Sequence, residues 1–154
     1  SFLFKDLEVS SLGLKLSPSL RGNYSQNKFI DFVDGSDDFS KNSIPGIPTY
    51  KANLGLEAIY RNRVYSILDY QMVGSQWLSD VNSLQYGSYE LFNGKVGYKN
   101  ASKNVDLYFG VNNILNEKYA SMILINASGW GGKEPRYYYP GMPRNIYFGF
   151  NKKF

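Results

Sequence analysis

The stretch "PRNIYFGFNKKF", residues 143–154, limits what this chain can fold into more than any other feature. Ile146, Phe148, Phe150 and Phe154 fall on one parity, while Asn145, Tyr147, Gly149, Asn151 and Lys153 fall on the other. Successive side chains of a β-strand point to opposite faces, so this spacing predicts a strand with one apolar and one polar face. Lys152 interrupts the apolar parity only near the end, where a long stem can carry its ammonium to a polar boundary. The run of ~11 residues is what a tilted strand needs to cross the hydrocarbon of a bilayer. Strands of soluble domains are about half that length.

The same period returns along the chain. Val105, Leu107, Phe109 and Val111 alternate with Asp106, Tyr108, Gly110 and Asn112. Phe92, Gly94, Val96 and Tyr98 oppose Leu91, Asn93, Lys95 and Gly97, and Val64, Leu68, Tyr70 and Met72 oppose Asp69 and Gln71. Tyr50, Ala52, Leu54, Leu56, Ala58 and Tyr60 face away from Lys51, Asn53, Gly55 and Glu57. Leu14, Leu16, Leu20 and Tyr24 oppose Lys15, Ser17, Ser19, Arg21 and Asn23, and a weaker segment sets Leu3, Leu7 and Val9 against Asp6 and Glu8. The expectation is an all-β antiparallel meander of seven strands without a helix.

Connection lengths alternate too. Short turns are expected near residues 10–13, 61–63 and 100–104, and long polar loops near 31–48, 74–87 and 115–142. Tight turns on one side and extended loops on the other are the rhythm of a transmembrane β-barrel; a soluble sandwich has no reason to sort its loops this way. The polar parity must then face water or a plug, because Lys15, Arg21, Lys51, Glu57, Asp69, Lys95 and Asp106 are costly in an apolar interior. With the last strand running inward, an odd count of seven puts residue 1 on the outer side, whereas bacterial single-chain barrels have even strand numbers. An open seven-stranded sheet also has two unpaired edges, each costly in lipid. The expectation is therefore a C-terminal segment of a larger barrel.

Composition narrows the function classes. Aromatic residues make up 17%, with 14 Tyr and 10 Phe, which suits strands and interfacial belts. Hydrophobic residues reach 43% at a mean hydropathy of −0.37, and no apolar run is long enough for a membrane-spanning helix. The chain has neither cysteine nor histidine, which removes thiol and Ser-His chemistry and the usual zinc sites. Its net charge of +4 is spread along the chain, with no basic block to suggest nucleic acid. No enzyme, cofactor or metal is expected. Asp34, Asp37 and Asp38 gather around Gly35, but without the alternation and closing Glu of a calcium loop, so they read as a solvated turn.

Three stretches carry a resemblance. "LYFGVNNILNEKYAS" (107–121), "YYYPGMPRNIYFGF" (137–150) and the terminal "FNKKF" resemble the closing strands of TonB-dependent outer-membrane receptors. "IPGIPTYKANLGLEAIY" and "LFNGKVGY" upstream are also similar to that family. Ile114-Leu115 stands where Leu-Phe is commoner, a conservative departure. The resemblance implies the last ~7 strands of a barrel of about 22, with the plug and the TonB-contacting segment outside these residues. It further implies the bacterial outer membrane and energised uptake of a scarce, bulky nutrient: most often an iron-siderophore complex, sometimes cobalamin or a glycan. Implied partners are membrane lipid, the transported ligand, a TonB-type coupling protein reached through the missing N-terminal part, and the outer-membrane assembly machinery.

The resemblance marks Ile146, Phe148, Phe150 and Phe154 as an assembly signal; a lipid-facing strand closed by an interfacial aromatic fits them as well. Trp77, Trp130, Arg136, Tyr137, Tyr138 and Tyr139 lie in expected outer loops and are candidates for ligand contact, since Tyr and Trp give rigid area with a polar tip and Arg pairs with carboxylate or catecholate oxygens. The same aromatics would also serve to stack loop on loop. Two other readings stand beside the receptor: a small eight-stranded structural or adhesive barrel, and a soluble β-rich binding module.

Overall fold

The computed structural model describes residues 2–152, with only the backbone of Phe2 and Leu3. Phe154 of the expected assembly signal lies outside the described residues. One antiparallel meander dominates. Two short strands, β1 (Phe2–Leu3) and β2 (Leu7–Val9), share an edge on β3 (Leu14–Tyr24). After a small hairpin of β4 (Val33–Asp34) and β5 (Asp37–Asp38) come β6 (Tyr50–Tyr60) and β7 (Val64–Val73). A second ribbon, β8 (Gln76–Trp77) with β9 (Gln85–Tyr86), precedes β10 (Tyr89–Asn100) and β11 (Val105–Asn112). A third, β12 (Ala120–Ile123) with β13 (Tyr138–Pro140), precedes β14 (Asn145–Lys152). The sheet order is β1-β3-β6-β7-β10-β11-β14, so each long strand pairs with its sequence neighbour.

Register joins like to like. Leu16 pairs with Ala58, Leu20 with Leu54, Leu56 with Leu68, Tyr98 with Leu107, Phe109 with Phe148 and Val111 with Ile146. A one-residue slip would turn a strand's apolar set to the other face, so the alternation itself selects these partners. The apolar face stays open: Leu54 is 42% exposed, Phe109 47% and Phe148 87%. Nothing else among the described residues covers this face. Tyr24 and Tyr50 pair at one end of that face and Tyr60 and Tyr98 stand at the other, the arrangement of interfacial girdles. The buried apolar residues, among them Val73, Leu78, Leu91 and Ala120, gather at the loop end.

The first strand differs from expectation. Leu3 pairs with Ser19, but Leu7 pairs with Leu16, so the register shifts by one residue and Leu3 falls out of step with Leu7 and Val9. The break lies opposite Ser17 and Pro18, and proline has no N–H to give a ladder. Asp6 within the break forms an ion pair with Lys15 at 2.7 Å. A 3-10 turn, Ala101–Lys103, fills one short connection; the Asn100 side chain accepts the Lys103 N–H at 3.1 Å and Asn104 closes it with φ 51°.

Tyrosines on the polar face lie flat over glycines of the next strand. Tyr108 pairs with Gly149 and Tyr147 with Gly110, a reciprocal exchange between β11 and β14. A Cβ built on Gly149 would stand 2.1 Å from the Tyr108 ring, and one on Gly97 2.2 Å from the Tyr65 ring. Rings covering glycines in this way restore the contact that a bare backbone lacks. Gly149→Val is expected to expel the Tyr108 ring and lower stability by about 1–3 kcal/mol, measured as a lower unfolding midpoint of the folded barrel in detergent.

Candidate functional site

The antiparallel order brings the connections 25–49, 74–88 and 113–144 to one end of the sheet. One polar system of the sheet leads toward that end and a second lies at the opposite one. On the polar face, Asn53 Nδ2 donates to Asp69 Oδ2 at 2.8 Å and Asn93 Nδ2 to Asp69 Oδ1 at 3.4 Å. Asn93 Oδ1 in turn accepts the Asn113 N–H at 2.9 Å. Three adjacent strands, and the backbone just past the end of β11, are thus tied by side chains as well as by their ladders. Nearer the short turns, the Tyr65 hydroxyl donates to Asp106 Oδ1 at 3.0 Å, and Lys95 Nζ lies 4.4 Å from the centre of the Tyr108 ring. Glu57, Arg63 and Lys99 line the same cleft as this group. Charges here are wet or paired, which answers why an otherwise apolar sheet carries them.

Asn113 is 3% exposed with φ 52°. Its Nδ2 donates to the carbonyls of Glu117, at 2.8 Å, and Met142, at 3.2 Å, and its Oδ1 accepts the Glu117 N–H at 2.8 Å. Asn116, with φ 56°, accepts the Arg144 N–H at 3.0 Å. The two asparagines therefore clasp both ends of the 113–144 loop. Asparagine tolerates the left-handed region and offers a donor and an acceptor on one short side chain. These residues lie in the quoted "GVNNILNEKY", but pattern alone gave them no role.

The expected ligand-contact residues separate into three places. Trp77 is half-buried on β8, where its carbonyl accepts the Gly46 N–H at 2.8 Å. Trp130, 89% exposed, and Arg136 line one cleft with Lys133 and Glu134. Tyr138 and Tyr139 run along β13 opposite Ile123 and Met122, and Tyr137 accepts the Leu124 N–H through its carbonyl at 2.7 Å. Tyr138 also meets Tyr86 at 5.6 Å between ring centres, while Tyr89 stacks on Tyr119 at 5.2 Å. Tyr86, Tyr89 and Tyr119, not singled out by sequence, thus hold one loop against another; the Tyr86 hydroxyl also accepts the Ala120 N–H at 2.7 Å. Around Gly35 the β4–β5 hairpin turns, and hydrogen bonds from the Ser40 hydroxyl and its N–H keep the Asp38 carboxyl below its ordinary range.

A long-stranded meander with an apolar face, a wet face and all long loops at one end matches one family profile. The profile described as "TonB dependent receptor-like, beta-barrel" covers residues 7–114. The chain belongs to this family of TonB-dependent receptor β-barrels. The same fold recurs in the siderophore receptor PiuA from Acinetobacter baumannii, at 16% identity and TM-score 0.69 over 97% of this chain and 20% of that one. It recurs in the ferric yersiniabactin uptake receptor FyuA from Yersinia pestis, at 19% identity and TM-score 0.65 over 90% of this chain and 20% of that one. A mutant ferric enterobactin receptor, PfeA from Pseudomonas aeruginosa, gives 21% identity and TM-score 0.66 over 97% of this chain and 21% of that one. No curated protein matches the sequence. The chain spans about a fifth of the length of these solved receptors.

Membership of the TonB-dependent receptor family fits the two open edges, which a closed barrel would pair. It makes the polar face the bore and the outer membrane of a Gram-negative bacterium the location. The eight-stranded barrel and the soluble module gain no support beside it.

Proposed function

We propose that this chain is the C-terminal part of an outer-membrane transporter that takes up a ferric siderophore. The observation that carries the reading is its meander, shared over nearly all of its length with barrels named as receptors for a siderophore, for ferric yersiniabactin and for ferric enterobactin. Trp130 and Arg136 on one cleft support a role for the 113–144 loop in holding an anionic chelate, with the ring as a rigid apolar wall and the guanidinium as a forked donor. Tyr137, Tyr138 and Tyr139 brace that loop, and Trp77 braces the one beside it. A TonB-type protein, engaging a segment upstream of these residues, would supply the energy, and the assembly machinery would read Ile146, Phe148, Phe150 and Phe154.

The test is uptake of radiolabelled ferric chelates by a strain lacking the receptor and complemented with the full-length gene. Restored, TonB-dependent uptake of one chelate is expected. Trp130→Ala and Arg136→Ala are each expected to weaken binding about tenfold, the loss of one well-placed contact worth ~1.4 kcal/mol, with surface expression unchanged. No uptake of any ferric chelate would overturn the iron reading in favour of another nutrient.

A further inference from the structure

We infer that the three outer loops of this chain are locked into one body, and that Asn82, Asp80 and Asn126 are the positioning residues that lock it. Asn82 Oδ1 accepts the Ser43 N–H at 2.7 Å, and its Nδ2 donates to the Ser43 carbonyl at 2.9 Å. This reciprocal pair joins the 25–49 loop to the 74–88 loop, and Asn42 Nδ2 adds a bond to the Asp80 carbonyl at 2.7 Å. Asn126 repeats the device on the other side: its Oδ1 accepts the Asp80 N–H at 2.9 Å and its Nδ2 donates to Asp80 Oδ2 at 2.5 Å. Both asparagines sit in the left-handed region, Asn82 at φ 55° and Asn126 at φ 52°. In each case a turn aims a short amide at a neighbouring loop: Asn82 meets backbone groups of Ser43, and Asn126 meets the N–H and the carboxylate of Asp80.

Backbone contacts reinforce the junction. Gly46 donates its N–H to the Trp77 carbonyl at 2.8 Å and Asn126 to the Leu78 carbonyl at 2.9 Å. Gly46 is where all three loops meet, because a Cβ built there would stand 2.6 Å from Cδ1 of Ile125. The cleft of Trp130 and Arg136 is reached directly from Asn126, so its aim is set by the other two loops as well as its own. Loops fastened in this way cannot close over a ligand one at a time; they move together or stay still. That consequence for ligand capture rests on the proposed uptake function, whereas the locking itself does not.

Nitroxide labels at Ser36→Cys, Ser83→Cys and Ser128→Cys, one exposed position on each loop, introduced pairwise into the full-length receptor in native outer membranes, test the inference by pulsed dipolar spectroscopy. Narrow distance distributions are expected for every pair without ligand. Asn82→Gly keeps the left-handed backbone while deleting the amide, and is expected to widen the 36–83 distribution about twofold and leave 83–128 narrow. Asn126→Gly combined with Asp80→Ala is expected to do the reverse. Broad or multiple distances in the unaltered receptor would overturn the inference, as would variants that change no pair or loosen every pair alike. Heat-modifiable gel mobility confirms that each variant barrel is folded; should a variant fail to assemble, the widths in the unaltered receptor decide the matter. Failure of uptake with narrow widths would count against the transport reading alone.

Discussion

Leu56→Arg is expected to destabilise the barrel by about 2–4 kcal/mol, the cost of a cation on the lipid face near the bilayer midplane. Leu56 lies midway between Tyr50 and Tyr60, which mark the two ends of β6, and is flanked across the sheet by Pro18 and Leu68. No acidic side chain is among these neighbours, and the stem of an arginine at this depth is far from either interface. Gln71→Lys is the control: it adds a charge on the opposite parity of β7, next to Asn53 and Leu91, where the bore admits water or a plug. It is expected to change stability by less than about 0.5 kcal/mol. Unfolding of the full-length receptor in urea, followed in bilayers by loss of the folded gel mobility, reads both. A larger cost for Gln71→Lys would mean that the faces have been assigned to the wrong sides, and equal costs that the two faces do not differ.

Asn113→Ala removes three side-chain hydrogen bonds, those that hold the Glu117 N–H and carbonyl and the Met142 carbonyl to this buried side chain. At ~1 kcal/mol for each bond, with about 1 kcal/mol more for holding alanine at positive φ, the expected loss is about 3–4 kcal/mol. Asn113→Gly should recover only the backbone part, about 1 kcal/mol. The order glycine above alanine separates backbone strain from lost bonding, and a single unfolding series checks it. Hydrogen exchange should localise the damage: amides at 113–117 and 142–144 are expected to lose protection first, because both ends of the loop hang on that one amide. Uniform loss over β11 and β14 would show instead that the asparagine acts through the sheet.

Most of the sheet was legible in the chain because its rule is local. Parity in "TYKANLGLEAIY" names the face of each residue, and matching faces leaves one register for each neighbour, as the pairs Leu56 with Leu68 and Phe109 with Phe148 show. The reciprocal Tyr108–Gly149 and Tyr147–Gly110 exchange was also encoded there, as a Tyr-x-Gly repeat in two successive strands, although its meaning appears only once the strands are laid antiparallel. The shift between β1 and β2 was missed because it depends on Pro18 in the next strand. The ribbons within the loops escaped for a different cause: two or three residues are too few to show a period.

For the candidate site the division is sharper. Sequence marked Trp130 and Arg136 by residue type, and the structure puts them on one cleft. It gave no warning of Asn82, Asp80 and Asn126, since amide and acid side chains in polar loops look like any solvated turn until their partners are known. Asn82 reaches Ser43 across 39 residues of chain, and Asn126 reaches Asp80 across 46. Alternation of side chains, which an apolar surrounding on one side and a polar one on the other impose residue by residue, made strands, faces and loop order readable from the chain alone. Contacts between loops obey no such period: they arise only where folding has already brought distant turns to the same rim, and so belonged to the tertiary structure alone.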